Sequence, residues 1–378
     1  RVVDFGHRAV HESTVASKSL VTSFYGVPAS KAYYSGSSTG GPQVLVAGER
    51  YPADFDGIVA NAPALEYDGL MMAFTWSQQK QLRGPEFFIP RAKYQTLKDA
   101  YISACDADDG VVDGLLSDPK SCKFDPASLQ WAGADSTQCL TAGQVDTLKS
   151  ILKGPTTSAG ETLVPGPDYV GSVTEWGNWF GDTAPVLAPD GRYHFPPPPG
   201  GTGSFRPQNS FFAWNYMKYM FFPKSDADRD YRDFNFDVDP KERSYMGSTQ
   251  NATGDLTQFK ARGGKLITWH GLADAVVYPE RTLTYWAEAG AKTGGMDSFA
   301  RLYLAPSVSH CGGGDGPDRV DLIKALDEWV VAGKVPETLI ASKLDAGGGT
   351  IRTRPMCPYP KKAVYKNAGS IDIAENFE

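Results

Sequence analysis

Gly36-Ser37-Ser38-Thr39-Gly40 sets two adjacent serines inside a Gly-x-Ser-x-Gly frame. Such a frame exposes a nucleophilic hydroxyl when it forms a sharp turn between a strand and a helix. The frame centres on Ser38, so Ser38 and not Ser37 should carry that hydroxyl. The N–H of Thr39, at the start of the following helix, is placed to stabilise an oxyanion. The alternative is a Gly/Ser-rich turn without chemistry.

A serine hydroxyl needs a base, and the base needs an orienting acid. The chain has five histidines: His7, His11, His194, His270 and His310. His7 and His11 precede the serine on a helix, His194 lies in a Pro-rich loop, and His270 ends a strand and reads as structural. His310 follows an apolar run, RLYLAP, within the glycine-rich loop SVSHCGGGDG, and is the best-placed base. Asp274, in WHGLADAVV, follows the end of a buried strand and completes the order Ser38, Asp274, His310, which is that of α/β-hydrolases. Asp297 precedes its strand and Asp315 follows the histidine, so both are worse placed.

A second cluster lies in CDADDGVVDGLLSDPKSC, residues 105–122, where aspartates crowd between two cysteines. Oxygen ligands at this density suggest Ca²⁺ or a plain acidic turn. The loop is not an EF-hand, because Ser117 stands where a bidentate Glu would be needed.

Elements of an α/β sheet must position these residues. Residues 28–63 read strand, turn, helix, strand: KAYYS is a short apolar-aromatic run, Pro42 suits the first turn of a helix to about Tyr51, and DFDGIVANAP is a buried strand. Sheet logic returns at Gly263, with strands over 263–271 and 299–306 and helices over 281–291 and 318–334. An opening helix should carry Val10, Ser17, Val21 and Phe24 on one face and end at Gly26. Between the two halves, residues 90–105 read as a helix with Tyr94, Leu97 and Tyr101 inward. Thr141 and Gln144 form a capping box ahead of Val145, Leu148 and Leu152. Residues 165–207 are rich in Pro and Gly, including PPPPGG, and residues 210–222 are dense in aromatics. The expected organisation is a catalytic α/β domain over 1–65 and 246–378, with a large insertion over 66–245 that includes the acidic loop and covers the sheet as a lid.

Bulk composition narrows the partners. There are 37 basic against 44 acidic residues, with no basic block, which argues against nucleic acid. No apolar run is long enough to span a membrane. Of five cysteines, Cys105 and Cys122 have a spacing that suits a small disulfide; with the sequon Asn251-Ala-Thr253 they point to secretion. The chain opens on Arg1 and runs directly into a helix, which reads as a fragment or a processed product whose leader lies upstream.

Over essentially its whole length the sequence resembles the tannase/feruloyl esterase family of secreted α/β-hydrolases, which includes bacterial relatives that cleave terephthalate monoesters. The resemblance rests on YYSGSSTGG with RYPADFDGIVANAPAL, on CDADDGVVDGLLSDPKSCKFDP, on FKARGGKLITWHGLADAVVYP, on SHCGGGDGP and on RPMCPYPKKAVYK. It implies an α/β-hydrolase fold with a mostly parallel sheet, early strands lying outside this chain, and a lid forming much of the acyl pocket. It also implies a Ser38–Asp274–His310 triad and Ca²⁺ held by the side chains of Asp106, Asp109 and Asp113 and the carbonyls of Val111 and Leu115. The activity implied is that of a secreted serine carboxylesterase on hydroxycinnamate or gallate esters, feruloyl ahead of tannin, either small or attached to plant polysaccharide. The alternatives are a non-catalytic, calcium-stabilised remnant and an acyl transferase using the same residues. The sequence departs from the family pattern at Ser37, where a cysteine normally pairs with the one after the histidine, here Cys311. It departs also at Trp131, where Cys139 would find its partner, and at Pro42, which replaces a usual arginine. Cys357 lacks its partner before Glu378, which leaves Cys105–Cys122 as the intact pair.

Overall fold

The structure, a computed structural model, describes residues 2–131, 133, 135–167, 175–195, 207–221, 230–242, 247 and 249–378. The chain divides into two compact units, one of residues 1–67, 109–117 and 246–378, the other of 68–108 and 118–245. The division falls inside the acidic loop: residues 109–117 pack with the first unit, while Asp106 belongs to the second.

The first unit is built on four parallel strands in the order β1 (Tyr33–Ser37), β2 (Gly57–Asn61), β3 (Lys265–Gly271) and β4 (Ala300–Ala305). Alternation along β2 and β3 sends side chains to opposite faces. Ile58, Ala60 and Leu266 join Val44 and Leu45 of α2 (Gly40–Arg50) and Tyr285 and Ala289 of α7 (Pro279–Thr293). Val59, Ile267 and Trp269 face Ala325, Leu326 and Trp329 of α8 (Leu322–Ala332). A sheet covered on both faces reads as continuous apolar runs, which is why GIVAN and KLITWHG are legible as strands. An antiparallel hairpin of β5 (Leu339–Leu344) and β6 (Thr350–Met356) follows, unforeseen from the sequence.

Strand β1 reaches Ser37, two residues beyond the apolar run that predicted it, so its end abuts Ser38. Helix α1 (Ala9–Tyr25) ends at Gly26 in the left-handed conformation, as expected. Its expected inward face is only half right: Val10 and Val21 are partly buried, with Thr14 and Lys18 between them, whereas Ser17 and Phe24 are exposed.

The second unit carries α3 (Tyr67–Gln81), α4 (Tyr94–Cys105), α5 (Ala142–Lys153) and α6 (Gln208–Tyr216). Tyr94, Leu97 and Tyr101 are buried, and both reciprocal bonds of the Thr141/Gln144 capping box are present. Cys105 and Cys122 are joined in a disulfide. The PPPPGG stretch and Phe222 lie outside the described residues. Among the described residues, no helix is long and apolar enough to cross a membrane.

Candidate active site

Ser38 sits where β1 turns into α2, with a positive φ of 57°. A non-glycine residue holds such a conformation only when its surroundings fix it. Here Ser38 N donates to Asn61 O, and Ser38 O accepts from Gly41 N and Ala64 N. Gly36 has no room for a side chain, since a Cβ there would stand 2.3 Å from Gly40 O. Thr39 takes the N-cap position of α2, where first-turn N–H groups lack helical acceptors.

Two further turns leave the same end of the sheet. The first, after β3, carries Asp274, whose side chain is completely buried. Its Oδ1 accepts from Val276 N and Val277 N, each at 2.9 Å. The second, after β4, carries His310. The turns are joined through Ala273 N donating to Val308 O at 2.9 Å. Gly271 allows this approach, because a Cβ there would meet Val308 O at 2.2 Å.

The three side chains form one hydrogen-bonded line. His310 Nδ1 lies 2.7 Å from Asp274 Oδ2, and His310 Nε2 lies 2.9 Å from Ser38 Oγ. With Asp274 as the acceptor, Nδ1 carries the proton and Nε2 is left to accept from the serine. Burial pulls the His310 imidazole down, but the Asp274 carboxylate outweighs it and the net shift is upward. Burial likewise pushes Asp274 up, but His310 and His270 outweigh it and hold the carboxyl well below the usual range.

The other candidates fall elsewhere. His7 bonds Tyr51, His11 bonds Asp54, and His194 pairs with Asp190. Asp315 donates its backbone N–H to Ser307 O at the far end of the histidine loop, and Asp297 lies ahead of β4. Sequence reading missed the groups that hold the histidine loop. Asp318 accepts from Gly313 N at 2.8 Å, and Lys343, 3.6 Å from Asp318, donates to Gly314 O at 2.6 Å. Ser307, at φ 51°, accepts from Leu116 N through its Oγ. It also set aside His270, whose Nε2 is 3.4 Å from Asp274 Oδ2; the four-residue spacing of the two was the available signal. Cys311 is a free thiol with its Sγ 3.6 Å from His310 Nε2.

The acidic loop is less assembled. Asp109 Oδ1 accepts from Val111 N and Asp113 Oδ1 from Leu115 N, as in Asx turns. Asp113 is buried in an ion pair with Arg354, and Arg352 donates to Asp113 O. The donor set consists of hard oxygens, which fits Ca²⁺ chemically. However, among the described residues no group of three or more acidic, His or Cys side chains is arranged so that it could hold a metal.

The sequence model described as "Tannase and feruloyl esterase" matches residues 1–378. The chain belongs to this family. An esterase of Xanthomonas campestris is 33% identical, over 100% of this chain and 70% of its own length. The mono(2-hydroxyethyl) terephthalate hydrolase of Piscinibacter sakaiensis is 30% identical, over 99% of this chain and 68% of its own. Among solved structures, feruloyl esterase B from Aspergillus oryzae aligns with a TM-score of 0.85 at 25% identity, over 99% of this chain and 74% of its own. The fold is that of the family's α/β-hydrolases, and the chain is a carboxylic ester hydrolase.

Proposed function

We propose that this esterase cleaves esters of aromatic acids, of the hydroxycinnamate or gallate type, with feruloyl esters ahead of tannins, and that it works outside the cell. The hydrogen-bonded line Ser38–His310–Asp274 carries the mechanism. Ser38 Oγ attacks the ester carbonyl while its proton passes to His310 Nε2. The carbonyl electron pair becomes an oxyanion, which Thr39 N–H stabilises. The carbonyl re-forms, the C–O bond to the alcohol breaks, and His310 returns the proton to the leaving oxygen. Water, deprotonated by His310, then attacks the acyl-serine; the acyl C–Oγ bond breaks, His310 returns the proton to Ser38 Oγ, and the aromatic acid leaves. Asp274 keeps the imidazole in the required tautomer and offsets the charge it gains.

The aromatic preference is supported by relatives named for feruloyl and terephthalate esters. The Cys105–Cys122 disulfide and the Asn251 sequon support secretion. Asn251 Oδ1 accepts from Tyr67 N. We also propose that loop 106–115 takes Ca²⁺ through Asp106, Asp109 and Asp113 and the carbonyls of Val111 and Leu115. When bound, the ion would supply positive charge that pins the loop.

The test is turnover of methyl ferulate, methyl gallate and an aliphatic methyl ester. Cleavage of the ferulate in preference to the aliphatic ester supports the proposal. Equal or aliphatic-preferring turnover refutes the aromatic assignment, and absence of any turnover would point to a non-catalytic chain.

A further inference from the structure

We infer that His270 is a positioning residue: a second, wholly buried histidine that holds Asp274 in place for His310. It sits next to the end of β3 and has no exposed surface. Its Nε2 faces two acceptors, Val277 O at 2.9 Å and Asp274 Oδ2 at 3.4 Å. A carbonyl and a carboxylate only accept, so Nε2 carries a proton. Its Nδ1 lies 2.8 Å from Thr282 Oγ1 on α7, and a hydroxyl donating there fixes that tautomer.

The consequence falls on the acid. Asp274 Oδ1 is held by two backbone amides, while Oδ2 is shared between two imidazoles. His270 also bonds the carbonyl of Val277, the residue whose N–H holds Oδ1. One side chain therefore closes the turn that bears Asp274 and fixes the plane of its carboxylate. Packing alone would be met by an apolar residue, which spares the desolvation of two ring nitrogens. Thr282, itself 1% exposed, spends its hydroxyl on the same imidazole.

The inference deepens the triad reading and rests on it for its kinetic arm; a second arm is independent of turnover. The variants are His270→Leu, which removes both ring nitrogens, His270→Gln, which keeps a donor, and Thr282→Val, which frees the tautomer. Each is assayed on methyl ferulate, and the His310 imidazole is titrated by NMR of histidine-labelled protein. For His270→Leu, kcat should fall roughly ten- to a hundredfold with KM within about twofold, the scale of a small misplacement of a catalytic group. The His310 titration should move up, because Asp274 loses a donor that shares its charge. His270→Gln should recover most of kcat, and Thr282→Val should repeat the leucine effect in smaller measure. If folded His270→Leu and Thr282→Val match the parent in kcat and in the His310 titration, the inference is overturned. It is also overturned if activity falls only with the folded fraction while the titration stays put. Should His270→Leu not fold, Thr282→Val and His270→Gln decide by the same two measurements. Should the parent turn over no ester, the esterase reading fails, and the titration alone decides the role of His270.

Discussion

The triad candidates and the acidic loop were both read from short polar motifs, yet they differ in how far the fold assembles them. Ser38, Asp274 and His310 stand on turns that follow three strands of one parallel sheet, and backbone bonds fix each turn. Their side chains meet at 2.7 and 2.9 Å. Asp109 and Asp113 turn instead onto nearby partners, Val111 N for the first and Leu115 N and Arg354 for the second. Strand register can preorganise a catalytic line, whereas like charges gather only around a cation, because their mutual repulsion must be offset.

The largest break in this comparison is Ser38→Ala. With His310 left without its hydroxyl partner, kcat should fall by about 10⁴-fold or more. The fold should hold, since Ser38 is fixed through its backbone N–H and carbonyl. Parent-like esterase turnover by the purified variant would remove Ser38 from the mechanism.

Much of this line was legible because the sheet is covered on both faces. Apolar runs such as GIVAN mark strands, and the turn after each run marks where chemistry can stand. Chain order then set Asp315 aside, and the place of Asp297 ahead of its strand left Asp274 as the acid. For His270 the four-residue spacing to Asp274 was the one legible signal, because its partner Thr282 becomes a neighbour only after β3 and α7 pack. The β5–β6 hairpin was missed for a related reason: its inward Ala341 and Met356 join the core beneath the sheet, but its outward residues Ile340 and Ile351 blur the alternation. For α1, Lys18 displaced Ser17 from the inward face, because its amine reaches Asp54 O and lies over the Phe55 ring.

Next in size is Asp274→Asn, which should lower kcat by roughly 10³- to 10⁴-fold and also move the pH profile. His310 must be neutral to act as base, and Asp274 raises its imidazole above the ordinary value of about 6.5. In the parent, kcat/KM should therefore rise with pH through a limb above that value. In the asparagine variant only the smaller effect of Cys311 still opposes burial, and the limb should move to lower pH. Stability follows the same signs. The His310 contribution is complete below about 6.5 and is lost as pH rises through the folded-state value. The Asp274 contribution is present above the ordinary carboxyl range and is lost only in strong acid. A limb that stays in place in the variant would mean that Asp274 does not set the imidazole.

The acidic loop gives two smaller effects that sharpen the contrast. Arg354→Leu should cost about 3–5 kcal/mol, the range for breaking a buried ion pair, because Asp113 is left buried without its partner. Denaturant unfolding measures this. Stripping Ca²⁺ with a chelator should cost about 3 kcal/mol relative to calcium at a hundred times its Kd, seen as a lower Tm. An unchanged Tm in chelator would mean that the arginines suffice and that the loop is a plain acidic turn. A loss restored by Ca²⁺ but not by Mg²⁺ would mean that it closes around a large cation.

The smallest effect tests the odd serine pair. Ser37 ends β1 opposite Asn61, and Asn61 Nδ2 donates to Cys311 O at 3.4 Å. Ser37 and Cys311 thus flank the same asparagine, while their neighbours Ser38 and His310 are hydrogen-bonded. Ser37→Cys should place two thiols within reach of a disulfide, which needs Cα atoms roughly 4.4–6.8 Å apart. The closed loop is very long, so chain-entropy models suggest several kcal/mol, but about 2 kcal/mol is the fairer expectation because native strain intervenes. The functional sign is separate. Cys311 Sγ now stands 3.6 Å from His310 Nε2 and helps to raise that imidazole. A bridge to residue 37 would take the thiol off the ring and leave Nε2 to Ser38 alone. The pH limb should then move slightly down, with kcat equal to or above the parent value. Peptide mapping should find Cys311 bonded to residue 37 while Cys139 and Cys357 still titrate as thiols. If Cys311 remains a free thiol in the oxidised variant, the two catalytic turns do not meet at these positions, and Ser37 is an ordinary exposed strand residue.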